Sequence, residues 1–218
     1  MRSIEVHFPI GDVMLDGNLT MPTEANGVVV FAHGSGSSRF SPRNNFVAGV
    51  LNGADLGTLL FDLLTKEEEM IDLRAGRLRF NISLLSQRLL AATDWLLTQS
   101  DIRGARLGYF GASTGGAAAL VAAVERPQAV RAIVCRGSRT DMAAGVLAEV
   151  AAPPLLIVGE ADRQVLTWNR ESFADLRGEK RLEVIPGATH LFEEPGKLEA
   201  VARLATEWFL KHLKPLAP

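Results

Sequence analysis

Leu107-Gly108-Tyr109-Phe110-Gly111-Ala112-Ser113-Thr114-Gly115-Gly116 is the stretch that orders the rest of the chain. Its first four residues make an apolar run too short for a stable helix and suited to a strand buried on both faces. From Thr114 to Val124 the sequence turns Ala-rich, which favours helix. Between the two stands G-x-S-x-G. Small residues two places before and two after Ser113 allow a sharp turn from strand to helix that pushes the serine side chain into the open. Beside a helix N-terminus, developing negative charge is favoured, so Ser113 is a candidate nucleophile.

Working outward, the same kind of run recurs at Gly27 to Ala32, Thr58 to Phe61, Ala132 to Cys135, Leu155 to Val158 and Leu182 to Ile185. Helical patterns alternate with these runs. Ser41-Pro42 reads as a cap and first-turn proline for a helix through Asn44 to Leu51 that stops at Gly53. Asn81 to Thr98 carries an apolar stripe at helical spacing. Val165 to Leu176 and Leu198 to Leu213 complete the set, the last ending before Pro215. Ahead of them all, Ile4 to Phe8 and Val13 to Met21 suit an antiparallel hairpin turning near Gly11-Asp12. The acidic triplet Glu67-Glu68-Glu69 reads as a solvated turn. Strands alternating with helices imply an α/β fold, a mostly parallel sheet with helices on both faces, whose ligands sit at the carboxyl ends of the strands.

A serine nucleophile needs a base, and the base needs an orienting carboxylate, in the chain order Ser, Asp or Glu, His for this architecture. Asp162 follows the strand Leu155 to Val158 and His190 follows Leu182 to Ile185, so both lie on the rim that carries Ser113. Glu160 competes for the carboxylate role; Asp162 is favoured because it lies further from the strand end, where the loop can turn back. The Gly/Ser-rich stretch His33-Gly34-Ser35-Gly36-Ser37-Ser38 can aim backbone N–H groups at one point. Thr114, the residue after the serine, supplies one oxyanion donor, and Ser35, with Gly34 next, is the expected source of the other. His33 is expected to brace this loop. Arg39 and Arg43 beside it could attract an anionic substrate, as could Arg74, Arg77 and Arg79.

The 218 residues carry 23 Lys and Arg against 25 Asp and Glu, a net charge of −2. No basic surplus exists to neutralise a phosphate backbone, which argues against nucleic acid as a partner. At 47% apolar and 22% charged the chain falls among globular domains, and its length suits a single domain over residues 1–218. The lone cysteine, Cys135, excludes an internal disulfide and a CxxC site and reads as a small core residue. The N-terminus has no apolar run resembling an export signal, and no stretch approaches the roughly 20 residues that span a bilayer, so a cytoplasmic protein without a membrane role is expected. Dinucleotide and P-loop fingerprints are missing, and His33 and His190 lack metal-ligand spacing. No cofactor or metal is expected.

Taken together, the loop HGSGSSRFSPRN, the segment LLFDLLTKEEE, GASTGG and the ending GATHLFEEPG resemble the α/β-hydrolase superfamily, and within it the dienelactone-hydrolase-like group. They are also similar to the hydrolase module that some bacteria fuse to a phosphoribosyltransferase domain. The resemblance covers nearly the whole chain. It implies an eight-stranded sheet with Ser113, Asp162 and His190 as a triad. Dienelactone hydrolases proper use a cysteine nucleophile where this chain has Ser113, so the expectation is a serine hydrolase acting on small esters, thioesters or lactones. Only about 20 residues separate Cys135 from Leu155, too few for a multi-helix lid, so the site should be open. A second expectation is a non-catalytic or regulatory partner of a metabolic enzyme such as a phosphoribosyltransferase, and a homodimer is compatible with either. A third is cleavage of a peptide or carbon–carbon bond by the same triad.

Overall fold

A computed structural model describes residues 1–102 and 104–213; Pro215, the expected stop after the last helix, lies outside them. The eight strands are β1 (Arg2–Ile10), β2 (Val13–Met21), β3 (Val28–Ala32), β4 (Gly57–Phe61), β5 (Leu107–Ala112), β6 (Val130–Arg136), β7 (Pro154–Gly159) and β8 (Arg181–Ile185). The helices are α1 (Pro42–Gly53), α2 (Lys66–Ala75), α3 (Ile82–Thr98), α4 (Thr114–Glu125), α5 (Arg163–Asp175) and α6 (Lys197–Leu213). Among the described residues the strands form one sheet in the order β1-β2-β4-β3-β5-β6-β7-β8. β1 and β2 run antiparallel to their neighbours, and the six from β4 to β8 are parallel.

Both faces are covered, and the period-two alternation of each strand assigns its residues to them. In β3, Val28, Val30 and Ala32 pack with Leu85 and Leu89 of α3 and the alanines of α4. Val29 and Phe31 point the other way, toward Val47 and Leu51 of α1 and Phe209 of α6. Each such Val, Leu or Phe side chain, removed fully from water, contributes about 1.5–3 kcal/mol. The hairpin is fixed to this core by Phe8, which stacks on Trp95 of α3 at 5.2 Å and tilts against Phe61 at 5.6 Å.

Local signals explain the helix boundaries that position the site. The Ser41 hydroxyl accepts from Asn44 N–H, and Pro42 occupies the first turn of α1, where its missing N–H is no loss. One expectation fails here: Glu67-Glu68-Glu69 is the first turn of α2 and not a solvated turn. Thr65 and Glu68 form a reciprocal capping box, and three acidic side chains suit the positive end of a helix. The β6–β7 connection holds a ten-residue 3-10 segment, Thr140–Glu149. No lid domain is inserted there.

Candidate active site

Ser113 stands between the end of β5 and the start of α4 with φ 51° and ψ −121°. A non-glycine residue at positive φ is strained by about 1–3 kcal/mol and persists only where its surroundings dictate it. They do so here through three backbone bonds: Ser113 N–H donates to Arg136 O at 3.1 Å, and Gly116 N–H and Arg139 N–H both donate to Ser113 O at 3.1 Å. Glycines make the turn possible. A Cβ on Gly115 would lie 2.1 Å from Ala32 O, and one on Gly111 would lie 2.4 Å from the Gly116 Cα. Ser113 itself remains partly exposed.

Asp162 and His190, from the loops after β7 and β8, meet as expected: His190 Nδ1 lies 2.6 Å from Asp162 Oδ2. A carboxylate can only accept, so Nδ1 carries the proton and Nε2 is left as the basic nitrogen. Glu160 is engaged elsewhere. Its Oε2 accepts from Gly187 N–H at 2.9 Å, which pins the loop that precedes His190. Glu194 does the same from the other side, accepting from Thr189 N–H at 3.1 Å and Thr189 Oγ1 at 2.5 Å. Gly137 joins the two halves of the site. It follows Arg136, whose carbonyl holds Ser113, and a Cβ there would stand 3.4 Å from His190 Nδ1.

On the opposite side of Ser113 lies the Gly/Ser-rich loop. A Cβ on Gly34 would come within 3.1 Å of the Ser113 Cβ, so glycine lets the loop approach the serine closely without crowding it. His33 braces the loop: Nδ1–H donates to Gly34 O at 2.9 Å and Nε2 accepts from Leu63 N–H at 3.1 Å. Burial disfavours its cation and pulls its pKa below the ordinary histidine value, which suits an imidazole that must accept at Nε2. Gly34 O also accepts from Ser37 N–H at 3.2 Å. In a trans peptide the N–H points opposite to the C=O, so the Ser35 N–H faces away from both donors.

Beside this loop opens a cleft of about 540 Å³ lined among others by Gly34, Ser35, Arg43, Leu63, Leu73 and Thr114. Arg43 reaches it and Arg39 does not. Arg39 is 7% exposed, and its guanidinium lies among Glu5 at 2.7 Å, Asp62 at 3.1 Å and Asp16 at 3.3 Å. Those three carboxylates come from β1, β2 and the end of β4, and they neutralise it inside the fold. Arg79 also lines the cleft, bonded through Nε to Asp72. Cys135 lies under α4, fully buried, and burial pushes its thiol up to about 12, so it stays protonated. Among the described residues no group of three or more His, Cys, Asp or Glu side chains gathers to hold a metal ion. Gly137, Glu194 and Arg136 were not singled out by motif; a glycine after a strand and a glutamate four residues past a histidine are weak signals until the loops are folded.

The comparisons with known proteins agree with this fold. Two curated proteins from strains of Mycobacterium tuberculosis, both named "Putative phosphoribosyl transferase", are 54% identical over 213 residues, 98% of this chain and 47% of theirs. The chain thus spans about half the length of these curated relatives. A solved structure of a dienelactone hydrolase from Anabaena variabilis superposes with a TM-score of 0.96 at 56% identity, covering 98% of this chain and 99% of that one. Est1E from Butyrivibrio proteoclasticus shares the fold, with a TM-score of 0.80 at 15% identity, over 95% of this chain and 98% of its own. The profile of the dienelactone hydrolase family matches residues 15–216, and with the strand order and turn described above the chain belongs to that family.

Proposed function

We propose that the chain is a serine hydrolase that cleaves small ester, thioester or lactone substrates by way of an acyl-enzyme. The observation that carries the reading is the strained Ser113 turn set beside an Asp162–His190 pair with its basic Nε2 left over. In the first step the Ser113 Oγ–H bond breaks, its proton passes to His190 Nε2, and Oγ bonds to the substrate carbonyl carbon. The carbonyl oxygen takes the negative charge and is held by the N–H groups of Thr114 and Ser35, with Gly34 the alternative to Ser35. Collapse of this intermediate expels the alcohol, thiol or ring oxygen, which takes the proton back from Nε2. Water then attacks the acyl-enzyme, losing a proton to Nε2, and the same steps return Ser113. Asp162 keeps Nδ1 protonated and stabilises the imidazolium. The open cleft favours small substrates over long acyl chains, and a reducing compartment such as the cytoplasm suits the single buried thiol.

Ser113→Ala is expected to abolish turnover of p-nitrophenyl acetate and labelling by a fluorophosphonate probe; a variant that still turns over overturns the assignment. A second reading rests on the curated relatives' name and on their being about twice as long. There the domain serves a phosphoribosyl transferase as a regulatory or docking partner. Folded wild-type protein that resists the fluorophosphonate would favour it.

A further inference from the structure

The stretch from His33 to Ser38 passes beside Ser113, and little inside it fixes its shape. Gly36 stands at φ 69°, Ser35 and Gly36 are exposed, and among the described residues its internal backbone bond is Ser37 N–H to Gly34 O at 3.2 Å. Such a glycine-containing segment keeps many conformations unless it is held from outside. It is held at both ends, by consecutive residues of the chain that follows β4. His33 Nε2 accepts from Leu63 N–H at 3.1 Å. At the far end Arg39 N–H donates to Asp62 Oδ1 at 2.8 Å, and Arg39 Nη1 donates to Asp62 Oδ2 at 3.1 Å. One carboxylate thus takes both the main chain and the side chain of Arg39, which fixes where the loop backbone ends; a side-chain ion pair alone would leave that free.

The other partners of Arg39 hold the same arrangement from further away. Nη2 donates to Glu5 of β1 at 2.7 Å, and Nη1 lies 3.3 Å from Asp16 of β2. Asp62 N–H donates to Asp16 O at 2.9 Å, and the Asn45 side-chain amide of α1 donates to Arg39 O at 2.8 Å. Taking a guanidinium out of water costs several kcal/mol unless such partners surround it. Arg39 is not among the residues that line the cleft, so what its burial secures is the position of the loop.

We propose that Arg39 and Asp62 are positioning residues for acyl transfer at Ser113: they hold the Gly/Ser-rich loop so that the Ser35 N–H meets the substrate oxygen as it takes up charge. The inference rests on the hydrolase reading above and adds to it a pair that reaches the reaction only through the loop. Gly34 O already accepts from His33 Nδ1–H and Ser37 N–H, and the direction of the next N–H follows from how that peptide plane is held. A donor of this kind acts chiefly in the transition state, and removing one costs roughly 10²–10³-fold in kcat. A misplacement of about 1 Å can cost about 10²-fold. A loosened loop should therefore lower kcat and leave KM nearly unchanged.

The test measures kcat and KM for p-nitrophenyl acetate, and inhibition by 1,1,1-trifluoro-2-butanone, in the wild type, Asp62→Asn and Arg39→Lys. Ser113 Oγ adds to the carbonyl carbon of this ketone, its proton passes to His190, and the ketone oxygen becomes the anion that the loop is held to meet. Folded Asp62→Asn is expected to lose about 30-fold in kcat with KM within about threefold, and to bind the ketone more weakly by about the same factor as kcat falls. Arg39→Lys keeps the N–H bond and a cation among the three carboxylates but loses the planar fork, so about tenfold is expected. It keeps the test open if Asp62→Asn does not fold. The pH profile of kcat/KM should hold its shape in both, because the His190–Asp162 bond is untouched. Wild-type kcat in the folded variants overturns the inference, as does a rise in KM alone. A fall in kcat with unchanged ketone inhibition, or with a displaced pH profile, also overturns it, since the loss then lies in another part of the site. A wild type that turns over no ester overturns the hydrolase reading and this inference with it.

Discussion

His190 and Asp162 are joined through Nδ1 and Oδ2 at 2.6 Å, and the loops that carry them are also tied to each other, by Glu160 N–H to Ile185 O at 3.0 Å, Ala161 N–H to Ala188 O at 2.9 Å and Gly187 N–H to Glu160 Oε2 at 2.9 Å. The bond fixes which ring nitrogen holds the proton, and so fixes where the base lies. Asp162→Asn would present an amide that can donate to Nδ1, favouring the tautomer with its proton on Nε2. Activity should then fall about 10⁴-fold in kcat with little change in folding. Glu160→Gln, which alters only the bond to Gly187 N–H, should leave kcat/KM within about threefold. Equal losses in the two variants would show that the wrong carboxylate has been assigned.

Two glycines in helices should respond in opposite directions to alanine. At Gly115 the new Cβ meets the backbone of β3 and the loop after it, Ala32 O at 2.1 Å and His33 O at 2.6 Å. Neither atom can yield without moving the Gly/Ser-rich loop, so Gly115→Ala should destabilise by about 3 kcal/mol or more. At Gly49, inside α1 and facing solvent, nothing lies within 4 Å of the added carbon. Gly49→Ala should therefore stabilise by about 0.5–1 kcal/mol through reduced backbone entropy of the unfolded chain. Urea denaturation of the three proteins checks both signs.

The contrast between these glycines also shows what could be read from sequence. Period-two runs such as Val28 to Ala32 and the punctuation by Ser41-Pro42 are local signals, and they place strands and caps to within a residue or two. The order Ser113, Asp162, His190 is legible for a related reason, because residues just past parallel strands must share one rim. Arg39 was not legible. Its neutralising partners Glu5, Asp16 and Asp62 are distant in the chain and become neighbours only when the hairpin joins the sheet. The surroundings of Arg136 were hidden similarly: it closes an apolar run, and the Asn44 and Phe192 side chains that its guanidinium meets are brought in by other elements.

Thr65 and Glu68 did carry a local signal, the T-x-x-E of a capping box, which the eye passes over in a charge run. The box matters because α2 buries little: Asp72 is its buried residue. A helix with so few core contacts owes its order to its ends. Thr65→Ala should cost about 1 kcal/mol, concentrated in α2. Hydrogen exchange of the α2 amides should quicken about fivefold while α3 and α4 stay protected. Uniform acceleration across all helices would instead show that α2 unfolds only with the whole protein.

His33 ties the Gly/Ser-rich loop to the chain after β4, and it should also leave a signature in the pH dependence of stability. Its folded pKa lies below the ordinary 6.5, first because burial disfavours the cation. Between that depressed value and 6.5 the unfolded chain binds the proton more readily, so stability rises with pH through this window. The contribution is complete above about 6.5 and is lost as the pH falls through the window, by up to about 1.4 kcal/mol per pH unit. His212, also lowered mainly by burial, slopes in the same direction, so the informative quantity is a difference. His33→Gln should be less stable than the wild type at pH 7.5, since two loop bonds at 2.9 and 3.1 Å are disturbed. Its stability should then change less between pH 6.5 and 5. Parallel profiles for the two proteins would mean that His33 is protonated equally in the folded and unfolded states, and the neutral brace would have to be abandoned.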